Sequence, residues 1–161
     1  MRPEDYPGAL LARLAAHARA EPEREVCGLV VRSPSGALEA VPLRNVVGEG
    51  AESEGPPESP RRAYLLDPRE HLRLAKRLRR EGGEIVASYH SHVEGSAEFS
   101  SVDRAFALQD GAPVHPGLDY IVLALRGGAV VEMRIFSWNG ECFHGSRLSL
   151  PAAIDAARHP P

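Results

Sequence analysis

The chain is expected to be an α+β domain, a mixed and mostly antiparallel sheet flanked by helices. Three observations carry this. Helix-period apolar residues occur at the start and in the middle of the chain, and about six short β-branched runs separate and follow them. Several of those runs are sequence neighbours across tight turns, which favours antiparallel pairing over βαβ crossovers. At 161 residues, one domain (1–161) accommodates the whole chain and buries an ordinary core without disulfides or structural metals.

Residues 8–20, GALLARLAAHARA, set Leu10, Leu11, Leu14, Ala15 and Ala18 on one helical stripe. Pro22 ends this helix by disfavouring the helical conformation in the residue before it. EVCGLVVR (25–32) is short, apolar and β-branched, and after the turn SPSG residues 37–47 return as its hairpin partner. Residues 48–62, GEGAESEGPPESPRR, carry almost no apolar side chain and are expected to form a mobile acidic surface loop, read as inert, with contact to a substrate as the alternative. AYLLD (63–67) is expected to be a short strand. A helix then follows Pro68, burying His71, Leu74, Ala75 and Leu78 and stopping at Gly82. EIVASYHSH (84–92) is the next strand, SSVDRAFAL (100–108) starts a helix, and residues 119–128 and 129–138 pair across Gly127-Gly128. Residues 140–150 supply a last strand, and the tail 150–161 is weakly structured.

Composition excludes several classes. A hydrophobic fraction of 43% with 25% charged residues is that of an ordinary soluble protein, and a net charge of -3 gives no reason to expect a nucleic acid or a membrane surface as partner. Arg73, Lys76, Arg77, Arg79 and Arg80 crowd the end of the middle helix, where they suit a solvated face and the negative end of the helix dipole. Cys27 and Cys142 lie far apart with no CxxC, which argues against a disulfide framework and for a reducing cytoplasm. No signal-like run occurs, and no stretch approaches the ~18 apolar residues of a membrane span. A cytoplasmic enzyme or binding module is left, as monomer or homodimer.

The stretch SYHSHVEGSAEFSSVD (88–103) concentrates the chemistry. Side chains alternate along a strand, so His90 and His92 face the same way and can meet at one ion. Catalytic zinc usually takes three protein ligands and leaves a position for water, and Asp103 is the candidate third ligand. Two histidines at a strand end are also common without a metal, and Ser100-x-x-Asp103 resembles a helix capping box, a role compatible with either outcome. His92-Val93-Glu94 fits half of the zinc-deaminase signature. The other half, Pro-Cys-x-x-Cys, is missing downstream, where Cys142 stands alone. Glu94 is thereby left without an assigned role.

His90-Ser91-His92, seven intervening residues, then Ser100-x-x-Asp103 resembles the motif of the JAMM (MPN-plus) metalloprotease family, His-(Ser/Thr)-His-x7-Ser-x-x-Asp. The family's upstream Glu-x-Cys-Gly-Leu is matched by Glu25-Val26-Cys27-Gly28-Leu29. YLLDPRE (64–70) and HPGLDYIVLAL (115–125) are similar to its framework, so the resemblance spans residues 8–148. It implies the MPN/JAB-like, cytidine-deaminase-like fold and a Zn²⁺ ion held by His90, His92 and Asp103. It further implies Glu25 as general base and then acid, and Ser100 as donor to the developing oxyanion. The implied substrate is an amide bond after the C-terminal Gly-Gly of a ubiquitin-like or sulfur-carrier protein, and the compact chain looks like the prokaryotic stand-alone type. Two departures are Val93, where the family commonly has proline, and Pro22, one residue farther from Glu25 than in many relatives. Val93 suggests a different loop course, not a lost site. Cys27 is expected to be a small core residue and Ser91 structural. His17, His144 and His159 are expected at the surface or in loops, and His115 is the further histidine closest to a cleft role. Two other functions stay open: a non-catalytic MPN scaffold that binds partners, and a metal-dependent hydrolase of another small peptide or amino-acid adduct.

Overall fold

The computed structural model describes residues 2–49, 59 and 61–150. Most of the expected acidic loop and nearly all of the tail lie outside these residues. A six-stranded sheet organises the rest. In chain order its strands are β1 (Cys27–Arg32), β2 (Leu38–Leu43), β3 (Glu84–Val93), β6 (Asp119–Arg126), β7 (Ala129–Trp138) and β8 (Phe143–Arg147). Their spatial order is β2-β1-β3-β6-β7-β8, with β3 and β6 parallel and every other pair of neighbours antiparallel. The expected mixed, mostly antiparallel α+β fold is the observed one.

Helix α1 (Gly8–Ala20) covers one face, with Leu10, Leu11, Leu14, Ala15 and Ala18 buried as their spacing requires. Helices α2 (Pro68–Glu81) and α3 (Ser101–Ala107) lie on the other face. Strand β6 shows why the sheet needs both layers. Ile121, Leu123 and Leu125 pack with α1, while Tyr120, Val122 and Ala124 join Phe99, Ala107, Phe136 and Phe143 on the opposite side. A strand apolar on both faces belongs in a sheet interior covered twice. Asp67 caps α2 by accepting from the Arg69 and Glu70 amides at 2.8 and 3.3 Å, Pro68 opens it, and Gly82 closes it in the left-handed conformation at φ 75°. Leu74 and Leu78 are buried against Leu29, Val31 and Leu43, whereas His71 and Ala75 are only half-buried. No helix among the described residues is long and apolar enough to cross a membrane.

Three further local features differ from, or add to, what the sequence predicts. Residues 63–67 form no strand; a single bridge pairs Leu66 with Asn45. The cause is Asn45, whose side-chain oxygen takes the Val47 and Leu65 amides, both at 3.0 Å, and so removes donors that a ladder needs. Second, a small hairpin, β4 (Leu108–Gln109) and β5 (Ala112–Pro113), follows α3. Its turn is Asp110-Gly111, both at positive φ (51° and 79°), which is the strong Asp-Gly hairpin signal. Third, His17 is not a surface residue. It is a half-buried residue of α1, with Nδ1 2.9 Å from the Tyr89 hydroxyl.

Candidate functional site

The site forms where β1 and β3 run side by side and α3 begins beyond the end of β3. The pairing of Cys27 with His90 brings Glu25, just upstream of β1, to the histidine end of β3. Two bonds hold this join: Ser91 N–H donates to the Val26 carbonyl at 3.0 Å, and Val26 N–H donates to the Ser91 hydroxyl at 2.9 Å. Ser91 thus faces away from its two histidine neighbours and ties down the residue after Glu25. Gly28 is required one step further along. A Cβ there would lie 2.5 Å from the Val41 carbonyl oxygen and 2.6 Å from the Tyr89 ring. Cys27 is fully buried, and burial pushes its thiol up to about 12, which suits a core side chain and not a nucleophile.

His90, His92 and Asp103 offer ligand atoms that all lie within 4.8 Å of one another. The two Nε2 atoms are 3.0 Å apart, and the Asp103 oxygens stand 3.2 Å from His90 Nε2 and 3.7 Å from His92 Nε2. Asp103 is delivered by the capping box at the start of α3: its amide donates to Ser100 Oγ at 3.1 Å, and its carboxylate accepts from the Ser100 amide at 2.8 Å. The cap and the cluster are therefore one construction. His92 Nδ1 lies 2.8 Å from the Ser96 carbonyl, an acceptor, so that nitrogen carries the proton. Neutral His92 then turns a bare Nε2 lone pair toward His90 and Asp103. Two imidazole Nε2 atoms and a carboxylate that converge in this way make a donor set that fits a divalent cation.

Burial works against an ionised Asp103, yet its interactions with His90 and His92 and the Ser100 cap outweigh it and hold the carboxyl well below the ordinary range. Burial lowers the His90 pKa despite Asp103. For His92 burial is overcome by the bonds to Asp103 and Ser96, and its pKa is raised. Glu25, only 5% exposed, is pushed up to about 7, chiefly by burial, with Asp103 adding to the rise and His92 opposing it.

The cluster opens onto two adjoining hollows. One, of about 400 Å³, is lined by Glu25, Arg62, His92, Ser96 and Ser100; the other, of about 520 Å³, by Leu29, Leu66, Ser88, His115 and Leu118. Tyr64, Asp103 and Phe106 line both. The structure thus gathers Glu25, His90, His92, Ser100 and Asp103, places His115 on the cleft wall, sets Cys27 across from His90 with its Sγ donating to the Leu43 carbonyl at 3.6 Å, and leaves Ser91 facing away. Strand β3 continues through Val93, paired with Leu125, and turns at Glu94, a left-handed residue at φ 52°. Glu94 Oε1 accepts from the Gly127 amide at 2.8 Å, so this acid anchors the turn. Two residues at the site, Asn45 and Tyr64, the latter within the framework stretch YLLDPRE, carried no role in the sequence pattern. Tyr64 stacks on His90, and Asn45 bonds the Glu25 carbonyl at 2.9 Å; the polar spacing of RNVV and the aromatic in AYLLD carry no signal of either contact.

A family model described as prokaryotic homologs of the JAB domain matches residues 7–139. The desampylase of Haloferax volcanii is 28% identical over 141 residues, covering 86% of this chain and 87% of that protein. A probable TtuB-protein conjugate cleaving protease of Thermus thermophilus is 37% identical over 91 residues, 56% of this chain and 54% of its own length. Two solution structures share the fold. A protein from Desulfitobacterium hafniense has TM-score 0.62 and 23% identity and covers 95% of this chain and 96% of its own. One from Salinibacter ruber has TM-score 0.54 and 21% identity, with 89% and 88% covered.

Proposed function

This chain belongs to the prokaryotic homologs of the JAB domain, and on that basis we propose that it is a zinc-dependent isopeptidase or peptidase. Its substrate would be the amide bond after the C-terminal Gly-Gly of a ubiquitin-like or sulfur-carrier protein. The observation that carries the reading is the convergence of His90, His92 and Asp103 beside a buried carboxyl, Glu25, outside that ligand set. The relatives named as a desampylase and as a conjugate cleaving protease support the substrate class.

His90, His92 and Asp103 would hold the Zn²⁺ ion, which supplies a Lewis acid for the scissile carbonyl and a lowered pKa for water. Glu25 takes the proton of the attacking water and returns it to the leaving nitrogen. A carboxyl near 7 can do both, because neither its charged nor its neutral form is strongly disfavoured at neutral pH. Ser100 Oγ already accepts from the Asp103 amide, so its own proton remains to be donated to the carbonyl oxygen as negative charge develops there. Ser96 keeps His92 in the ligating tautomer.

The test is cleavage of a ubiquitin-like protein extended beyond its Gly-Gly, or linked there to a lysine, with and without a chelator. Wild type is expected to cleave, the chelator to stop it, and Glu25→Gln to lose about 10²–10⁴-fold in rate while still binding zinc. A Glu25→Gln variant that cleaves at the wild-type rate would remove Glu25 from the chemistry.

A further inference from the structure

The two histidines of the cluster are held by different means. His92 has its Nδ1 on the Ser96 carbonyl at 2.8 Å, the usual way in which a ligating imidazole is oriented from behind. Among the described residues, the side-chain partners of His90 through hydrogen bonds and ion pairs all lie at Nε2, on the cluster side. What meets the flat face of His90 is Tyr64. The two rings stack at a centroid distance of 4.4 Å and an interplanar angle of 21°. His92 meets His90 only at a tilt, 58°. Tyr64 lines the same hollow as Ser88, which lies two residues before His90 on the same face of β3.

Tyr64 is itself anchored. Asn45, buried, donates from Nδ2 to the carbonyls of Glu25 (2.9 Å) and Ala63 (3.0 Å), and its Oδ1 accepts from the Leu65 amide at 3.0 Å. One amide therefore bonds both chain neighbours of Tyr64 and the backbone of Glu25. A fully bonded buried side chain of this kind fixes its surroundings strongly, since any shift leaves polar atoms unpaired.

We propose that Tyr64 is a positioning residue of the metal centre: its ring fixes the plane of His90, and Asn45 holds that ring in register with Glu25. The inference rests on His90 being a metal ligand, as proposed above. It places the device that orients His90 on the segment entering α2, outside both motif segments.

The test measures zinc affinity of the purified chain by competition with a chromophoric chelator, for wild type, Tyr64→Phe, Tyr64→Leu and Tyr64→Ala, beside thermal unfolding of each metal-free protein. Phe keeps the stacking face and is expected to bind zinc within about 3-fold of wild type. Leu keeps volume without a ring and Ala keeps neither, and both are expected to weaken zinc at least ~10-fold with metal-free unfolding little changed. If Ala fails to fold, the Leu variant decides. Wild-type affinity in the Leu variant, or a Phe variant as weak as Leu, overturns the proposal. A wild type that binds no zinc sinks the reading of the centre itself, and this inference with it; tight wild-type binding that Leu matches sinks the inference alone.

Discussion

Glu25 illustrates how a single side chain can be unfavourable for the fold and suited to the chemistry. Burial raises its carboxyl from 4.5 to about 7. For an acid raised in the folded state, the native protein binds a proton that the unfolded chain has released between those two values. Its stability contribution is therefore fully present below about 4.5 and is lost as pH rises through 7. The difference corresponds to roughly 3 kcal/mol at most. Metal-free Glu25→Gln should therefore unfold at a higher temperature than metal-free wild type at pH 8, and the two should converge near pH 4.5. Equal melting temperatures at pH 8 would mean that the carboxyl is not buried as described. Asp103 works in the opposite sense, because its depressed pKa contributes stability that is lost only as the solution is acidified. The two carboxyls are thus set apart by their surroundings, as the proposed function requires of one group that exchanges a proton and one that stays charged to hold a cation.

At the scale of elements, the join between β1 and β3 explains the Cys-Gly that follows Glu25. Gly28 lets Tyr89 close against β1, and Gly28→Ala would put a methyl group 2.5 Å from the Val41 carbonyl oxygen and 2.6 Å from the Tyr89 ring. Moving strand backbone to relieve this is expected to cost about 1–3 kcal/mol, read as a lower denaturant midpoint with an unchanged slope. Wild-type stability in Gly28→Ala would refute the close approach. At the start of α3, Ser100→Ala removes the acceptor for the Asp103 amide, and the expected loss of about 1 kcal/mol should be accompanied by weaker zinc binding, because cap and ligand share one turn. Loss of stability with unchanged zinc affinity would separate the two roles. These elements were legible because period and motif coincide. Strand alternation put His90 and His92 on one face, and the capping-box spacing put Asp103 one turn into a helix. Tyr64 and Asn45 were not legible. Their contacts join residues about twenty positions apart through an irregular segment, where neither a period of two nor of 3.6 operates. AYLLD has strand composition, yet the Asn45 side chain takes the place of the ladder it would have joined. The Asp110-Gly111 hairpin differs, since its turn signal was present in the sequence and only the shortness of the flanking strands concealed it.

The whole molecule draws the site from three separate stretches, around Glu25, around His90 and at the start of α3, which meet only when the sheet is assembled. The unfolded chain keeps the two histidines close along the sequence but leaves Asp103 unplaced. The ion should therefore bind the native state far better than the unfolded one, and zinc should act as a folding ligand by mass action. At free zinc 100 times its dissociation constant the stabilisation is about 2.7 kcal/mol. For a chain of this length that is a rise of roughly 5–10 °C in melting temperature, abolished by a chelator. Asp103→Asn and His92→Ala should lose most of the zinc-dependent rise, whereas Glu25→Gln, outside the ligand set, should keep it. The comparison separates ligation from catalysis without any substrate. A rise that survives Asp103→Asn would place the ion elsewhere, and a rise missing from Glu25→Gln would make that carboxylate a ligand. With Glu25→Gln inactive but stabilised by zinc as wild type is, the sheet would be shown to hold the ion through β3 and α3 and to supply the proton acceptor separately, from the entrance to β1.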